Sequence, residues 1–256
     1  AARDAGLGVL ADIVPNHMGI SQPRENPWWW DVLTHGRSSA HADAFDIDWE
    51  VGEGRIRVPV LGAPLDEVIG DIRIDPAPAP ESPTGLARYF EHILPLAPGS
   101  VGEGDDLATA DGVRSVLERQ HWELRFWQDE ATDLNYRRFF AVTTLAAVRV
   151  ERPEIFDATH AEVLRWVREG LVDGLRVDHP DGLADPGGYL ARLAEAGYEV
   201  AQSNAADAAS PPEGGGDMGN LTSRILNENR SLGVSSGAGP SFGELTGDLV
   251  AGSKEK

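Results

Sequence analysis

Two short stretches hold residues whose types and spacing suit nucleophilic chemistry by a carboxylate. The first, ADIVPNH, carries Asp12, Asn16 and His17 at the end of an apolar run, and the second, GLRVDHPDGL, carries Arg176, Asp178 and His179 at the end of another. Successive side chains of a strand alternate between its faces, so Gly174, Arg176 and Asp178 share one face while Leu175 and Val177 share the other. A guanidinium beside a carboxylate favours the ionised form at neutral pH and fixes where its oxygens point, which is what an attacking carboxylate needs. The local pattern leaves a second role open: Asp178 or Asp181 could equally cap the turn that Pro180 imposes. His17 also admits two roles, a ring that bonds a substrate hydroxyl or a histidine that only shapes its loop. No HExxH run supports zinc, and neither a metal site nor a cofactor motif is read in the sequence.

These residues need strands to carry them. Residues 9–14, VLADIV, form the near-continuous apolar run of a parallel strand covered on both faces, with Gly6 and Gly8 ending a preceding helix. The chain opens as though inside that helix and without methionine, which reads as an N-terminal truncation. Further on, Thr159 and Glu162 stand at capping-box spacing. Val163, Leu164 and Val167 recur at helical intervals, and Gly170 supplies a stop before the strand LVDGLRVD. Asp185 and Pro186 fit the cap and first position of a further helix that carries Leu190 and Leu193 and ends near Gly197. Helix, strand, helix in that order implies a parallel α/β sheet.

Residues 15–145 far exceed the few that usually join a strand to its helix, and they predict an inserted subdomain. Within it, Val113, Val116, Leu117, Leu124 and Trp127 predict one helical stripe, and residues 75–83 an exposed loop. Trp28, Trp29 and Trp30 read as a small packed core in preference to stacking faces for a ligand. Asp43, Asp46, Asp48 and Glu50 lack EF-hand spacing and read as a solvated loop, not a calcium site. The formal charge of −20 disfavours nucleic acid and anionic membranes as partners and suits a neutral substrate. No stretch approaches the roughly 18 apolar residues of a span, and the absence of cysteine leaves the cytoplasm as the default compartment. After Val200 periodicity gives way to Ala, Ser, Gly, Pro and Asn, so residues 199–256 predict a disordered tail.

DIVPNH, the long insert and GLRVDH together resemble the first two signature regions of the α-amylase superfamily of glycoside hydrolases and transglycosylases. Within it, NPWWWDVLTHGRSS, FDIDWE, VPVLGAP, NYRRFF, RPEIFDATH and GLRVDHPDGLADPGGYL resemble the maltooligosyltrehalose synthase family, over residues 1–193. HADAF, Ala141 and Ala147 depart from that family's pattern. The resemblance implies an α/β fold, a partial (β/α)₈ TIM barrel. Residues 1–14 would hold its third strand, 15–145 the insert and 146–198 the fourth strand with its helices. It implies intramolecular transglucosylation that converts the reducing-end α-1,4 linkage of a maltooligosaccharide to α,α-1,1, without a cofactor. Asp178 would be the nucleophile and Arg176 its orienting group. His17, His179, Tyr136 and Arg137 would touch the α-1,4-glucan, and Asp12 and Asn16 would hold the loop. A second carboxyl group about 5 Å away would protonate the leaving oxygen. The strand to deliver it is due roughly 25 to 30 residues after Asp178, where the sequence reads AQSNAADAASPPEGGG. Glu199, Glu213 and Glu228 are the remaining candidates, none well placed, so the acid is unassigned and the isolated chain is expected to be inactive. The rival readings are an α-glucan hydrolase or other amylase-type transglycosylase, and a non-catalytic glucan-binding fragment.

Overall fold

The apolar run at 9–14 forms a strand over its centre, β1 (Leu10–Ile13), and Pro15 precedes a short β2 (His17–Gly19). Residues 3–207 are those the computed structural model describes. Asn26 then caps α1 (Pro27–His35): its Oδ1 accepts from the Trp29 N–H at 3.1 Å, and Pro27 takes the first position, where no donor is lost. β3 (Ile56–Leu61), the single turn α2 (Leu65–Val68), β4 (Ile72–Asp75) and the hairpin β5 (Leu86–Tyr89) with β6 (His92–Pro95) follow. α3 (Ala110–Glu118) begins at Thr109, whose hydroxyl accepts from Gly112 N–H, and leads into β7 (Trp122–Phe126). A short α4 (Glu130–Asp133) precedes the hairpin β8 (Arg138–Phe139) and β9 (Val142–Ala147). α5 (Pro153–Arg168), β10 (Gly174–Val177) and α6 (Pro186–Asp207) complete the described chain.

β1 and β10 run parallel with Asp12 opposite Arg176 and Ile13 opposite Val177, which brings together residues 164 apart. β2, β9 and β8 form an antiparallel sheet in which His17 faces Ala147. The insert therefore leaves and returns on paired strands, and that pairing holds the segment after β1 in place. Between them, β3 and β7 make a parallel pair and β4, β5 and β6 an antiparallel sheet. Of the three tryptophans read as a packed core, Trp29 is buried, edge-on to Phe45 at 4.9 Å and to Tyr136 at 5.4 Å, while Trp28 and Trp30 are half-buried. Trp122 is buried too, its indole N–H donating to the Pro95 carbonyl at 2.8 Å. Burial of each such side chain contributes on the order of 1.5 to 3 kcal/mol before entropy is counted.

Several expectations from the sequence need correction. α5 starts at Pro153, not at Thr159, whose hydroxyl lies inside the helix and donates to the Ile155 carbonyl at 2.7 Å. Proline at the first position outweighs a capping box six residues later. Gly170 does end the segment, at φ +61°, where glycine has no Cβ penalty. The stripe drawn from Val113 to Trp127 is two elements: α3 buries Val113, Val116 and Leu117, Leu124 belongs to β7, and Trp127 is exposed. Asp185 caps α6 through the Gly188 N–H at 2.9 Å, but the helix runs past Gly197 to Asp207, into the segment expected to be tail. The rest of that segment, 208–256, lies outside the described residues. Along β1, Leu10 and the adjacent Val14 are exposed within the described residues.

α5 and α6 meet around His160, whose Nε2 lies 2.8 Å from the Tyr189 hydroxyl and whose ring stacks on Phe156 at 4.2 Å. Burial pushes its pKa below the ordinary 6.5, outweighing the Phe156 carbonyl and Asp157, which act the other way. His17 and His121 shift downward for the same first cause. A depressed folded value means the unfolded chain binds more protons, so stability is lost as pH falls below about 6.5. The melting temperature is expected to drop between pH 7 and 5, with a shallower slope in His160→Gln. An unchanged slope would assign the acid loss to His17 and His121 instead.

Candidate active site

Because β1 and β10 are parallel and in register, their C-terminal ends fall on one edge, and the Asp178 N–H extends the ladder by donating to the Ile13 carbonyl at 2.9 Å. Arg176 spans the pair. Its Nη1 donates to Asp12 Oδ2 at 2.5 Å and its Nη2 to Asp178 Oδ1 at 2.7 Å. The bond to Asp12, then the charges of Asp12 and Asp178, hold the guanidinium above its ordinary pKa. Asp178 keeps 29% of its side chain exposed, so it is aimed by Arg176 yet open to a ligand.

The two strand ends are tied by one buried amide. Asn16, 2% exposed, donates from Nδ2 to the His179 carbonyl at 2.8 Å, and its Oδ1 lies 2.6 Å from His17 Nδ1. An amide oxygen only accepts, so Nδ1 of His17 carries the proton, and its Nε2 is left as an acceptor for a hydroxyl. Burial first, and His179 second, lower the His17 pKa and favour that neutral ring. His179 takes φ +47°, a left-handed conformation that costs a non-glycine residue on the order of 1 kcal/mol and that the Asn16 bond helps hold. Its Nε2 is 3.6 Å from Asp178 Oδ2. Gly182 completes the tie, because a Cβ there would come within 2.5 Å of Asn16 Nδ2.

A protein of Mycobacterium tuberculosis described as a maltooligosyl trehalose synthase is 50% identical to the chain over 195 residues, 76% of the chain and 23% of that protein. The structure of maltooligosyltrehalose synthase from Arthrobacter ramosus matches with a TM-score of 0.68 at 53% identity, over 77% of this chain and 24% of that one. A Sulfolobus tokodaii structure described as a hypothetical maltooligosyl trehalose synthase matches at 34% identity and TM-score 0.61, over 76% and 24%. The chain is a homologue of the maltooligosyltrehalose synthases. It spans about a quarter of the length of these relatives, with a mixed α/β fold like theirs over that quarter. No protein-family model matches it.

Of the residues the synthase resemblance singles out, Asp12, Asn16, His17, Arg176, Asp178 and His179 come together. Tyr136 and Arg137 are placed differently. The Tyr136 hydroxyl donates to the Thr143 carbonyl at 2.8 Å and burial raises its pKa, while Arg137 pairs with Asp46 at 2.9 Å. Both serve the frame of the β8–β9 hairpin more directly than a ligand. Asp12 lies within β1, inside the run 9–14 read as a strand, and it shares Arg176 with the nucleophile candidate. The acidic run is drawn to arginines, Asp43 to Arg149 and Arg152, Asp46 to Arg137 and Glu50 to Arg37, while Asp48 caps its own turn. Glu199 falls in α6, and Glu213 and Glu228 lie outside the described residues. Two residues escaped sequence reasoning: Phe139 stacks on His17 at 4.3 Å, and Phe140 meets His179 edge-on at 5.7 Å. Their signal was present as paired aromatics at the end of NYRRFF, where a strand reading buries one ring and a turn reading exposes the other.

Proposed function

We propose that the whole protein converts maltooligosaccharides to their trehalose-ended isomers by intramolecular transglucosylation, with this chain supplying the nucleophile. What carries the reading is the Arg176 fork that aims Asp178 at the edge shared by β1 and β10, in a chain half identical to proteins of that name. The Asp178 carboxylate attacks C1 of the glucose before the reducing end, and the C1–O4 bond breaks. O4 of the departing glucose takes a proton from a second carboxyl group, which is not assigned to a residue of this chain. The anomeric hydroxyl of that same glucose then attacks C1 of the glycosyl ester, loses its proton to the carboxylate that gave one up, and Asp178 leaves as a carboxylate. Neutral His17 accepts a sugar hydroxyl at Nε2, and His179 borders the reacting carbon.

The parallel β1–β10 pair and the helices α5 and α6 support a (β/α)₈ barrel built on this segment, with residues 15–145 as its insert. The α-1,4-glucan is the proposed partner and the cytoplasm the proposed compartment. No helix among the described residues is long and apolar enough to cross a membrane. Product analysis on maltopentaose tests the reaction: a non-reducing isomer of unchanged mass is expected, and new reducing ends in its place would make the protein a hydrolase.

A further inference from the structure

β8 and β9 are joined by two residues, Phe140 and Ala141, since Phe139 pairs with Val142. Phe140 holds φ +50°, a position where two-residue hairpins favour glycine, and its side chain stands in solvent, the residue being 69% exposed. Strain and exposure do not by themselves single it out, since Phe90 shares both, at φ +49°; its neighbours do. The ring lies 4.3 Å from Phe139, which stacks on His17, and perpendicular to His179, whose imidazole reaches Asp178. An exposed aromatic face one ring away from the nucleophile suits the apolar C–H face of a pyranose.

The proposed reaction creates a specific need for such a face. After O4 of the reducing-end glucose has left and been protonated, that glucose is free. It must stay and turn so that its O1, not O4, attacks the ester; if it escapes, water attacks C1 and glucose is the by-product. We propose that Phe140 is a specificity-determining residue, the platform that retains the cleaved glucose and so sets the partition between transfer and hydrolysis. The inference rests on the reaction proposed above and adds the group that keeps its leaving sugar.

The test uses the whole protein with maltopentaose and measures free glucose against the non-reducing isomer, together with substrate consumed. Phe90 is the control, because it sits at the same place in the β5–β6 hairpin, with φ +49° and equal exposure, away from Asp178's partners. Phe140→Gly should raise the ratio of glucose to isomer about tenfold, the loss of one ring contact, while consumption changes less. Phe140→Leu, which keeps apolar volume without the ring, should move the ratio the same way, and Phe140→Trp should hold it near the parent value. Phe90→Gly should leave it unchanged, with both glycine variants melting no lower than the parent. An unchanged ratio in Phe140→Gly and Phe140→Leu, from a parent that makes the isomer, overturns the platform and leaves the reaction standing. An equal shift in Phe90→Gly also overturns it, as general loosening. A parent that yields only new reducing ends overturns the reaction and the platform together.

Discussion

Asp178→Asn is expected to lower turnover of maltooligosaccharide by the whole protein on the order of 10³-fold or more, with little change in melting temperature. The substitution keeps the shape and leaves an amide oxygen that can still accept from Arg176 Nη2, so the tie across β10 survives. It removes the charge and the oxygen able to form a glycosyl ester, and an amide is a far poorer nucleophile. The capping role that the local sequence leaves open predicts otherwise. Asparagine caps as well as aspartate, so a capping Asp178 would tolerate the change in both stability and rate. The partners given to this carboxylate are the side chains of Arg176 and His179, not the backbone of the following turn. Asp12→Asn gives the comparison, since Asp12 shares the same guanidinium without standing at the strand end. It should cost roughly tenfold by loosening Arg176. Asp178→Asn activity within tenfold of the parent would remove Asp178 from the chemistry.

The strand ends were legible because their signals are local. Period-two alternation placed Arg176 beside Asp178, and Asp185 with Pro186 marked the start of α6. What needed the structure was pairing over distance: nothing near Asp12 shows that it lies opposite Arg176, because register between β1 and β10 is fixed by the chain folding back over the insert. The failures have the same origin. Leu124 and Trp127 continue the spacing of the α3 stripe, yet the helix stops at Glu118 and Leu124 buries itself in β7 beside β3. Tyr136 lies in a segment that resembles a site-bordering one, but an aromatic next to Trp29 gains more by filling the core. Phe140 was missed because a phenylalanine is ordinarily read as buried, whereas the two-residue turn after NYRRF pushes this one out.

Asn16→Ala is the second change expected to be large, and it acts through position rather than chemistry. Truncation removes the donor at 2.8 Å from the His179 carbonyl, which keeps only the Gly182 N–H at 3.1 Å, and frees the His17 ring from the acceptor at 2.6 Å. A hydrogen bond contributes about 0.5 to 1.5 kcal/mol net and the buried Asn16 side chain loses two, so stability should fall by roughly 2 kcal/mol, read as a lower denaturant midpoint. Turnover should fall further, by on the order of 10², because His179 relaxes from its left-handed conformation and takes the adjoining Asp178 with it. Asn16→Asp separates the hydrogen bond from the volume. It fills the same space and still accepts from His17, but it presents an oxygen to the His179 carbonyl where a donor stood. Two acceptors facing each other in a buried position, one of them charged, should destabilise at least as much as alanine does. The same charge would draw a proton onto His17 and raise its pKa, moving the acid limb of the rate profile to higher pH. An Asn16→Asp protein that melts and turns over like the parent would show that the backbone of β2 and β9 fixes the strand ends unaided, with Val148 N–H on the Asn16 carbonyl at 3.0 Å as the tie that matters.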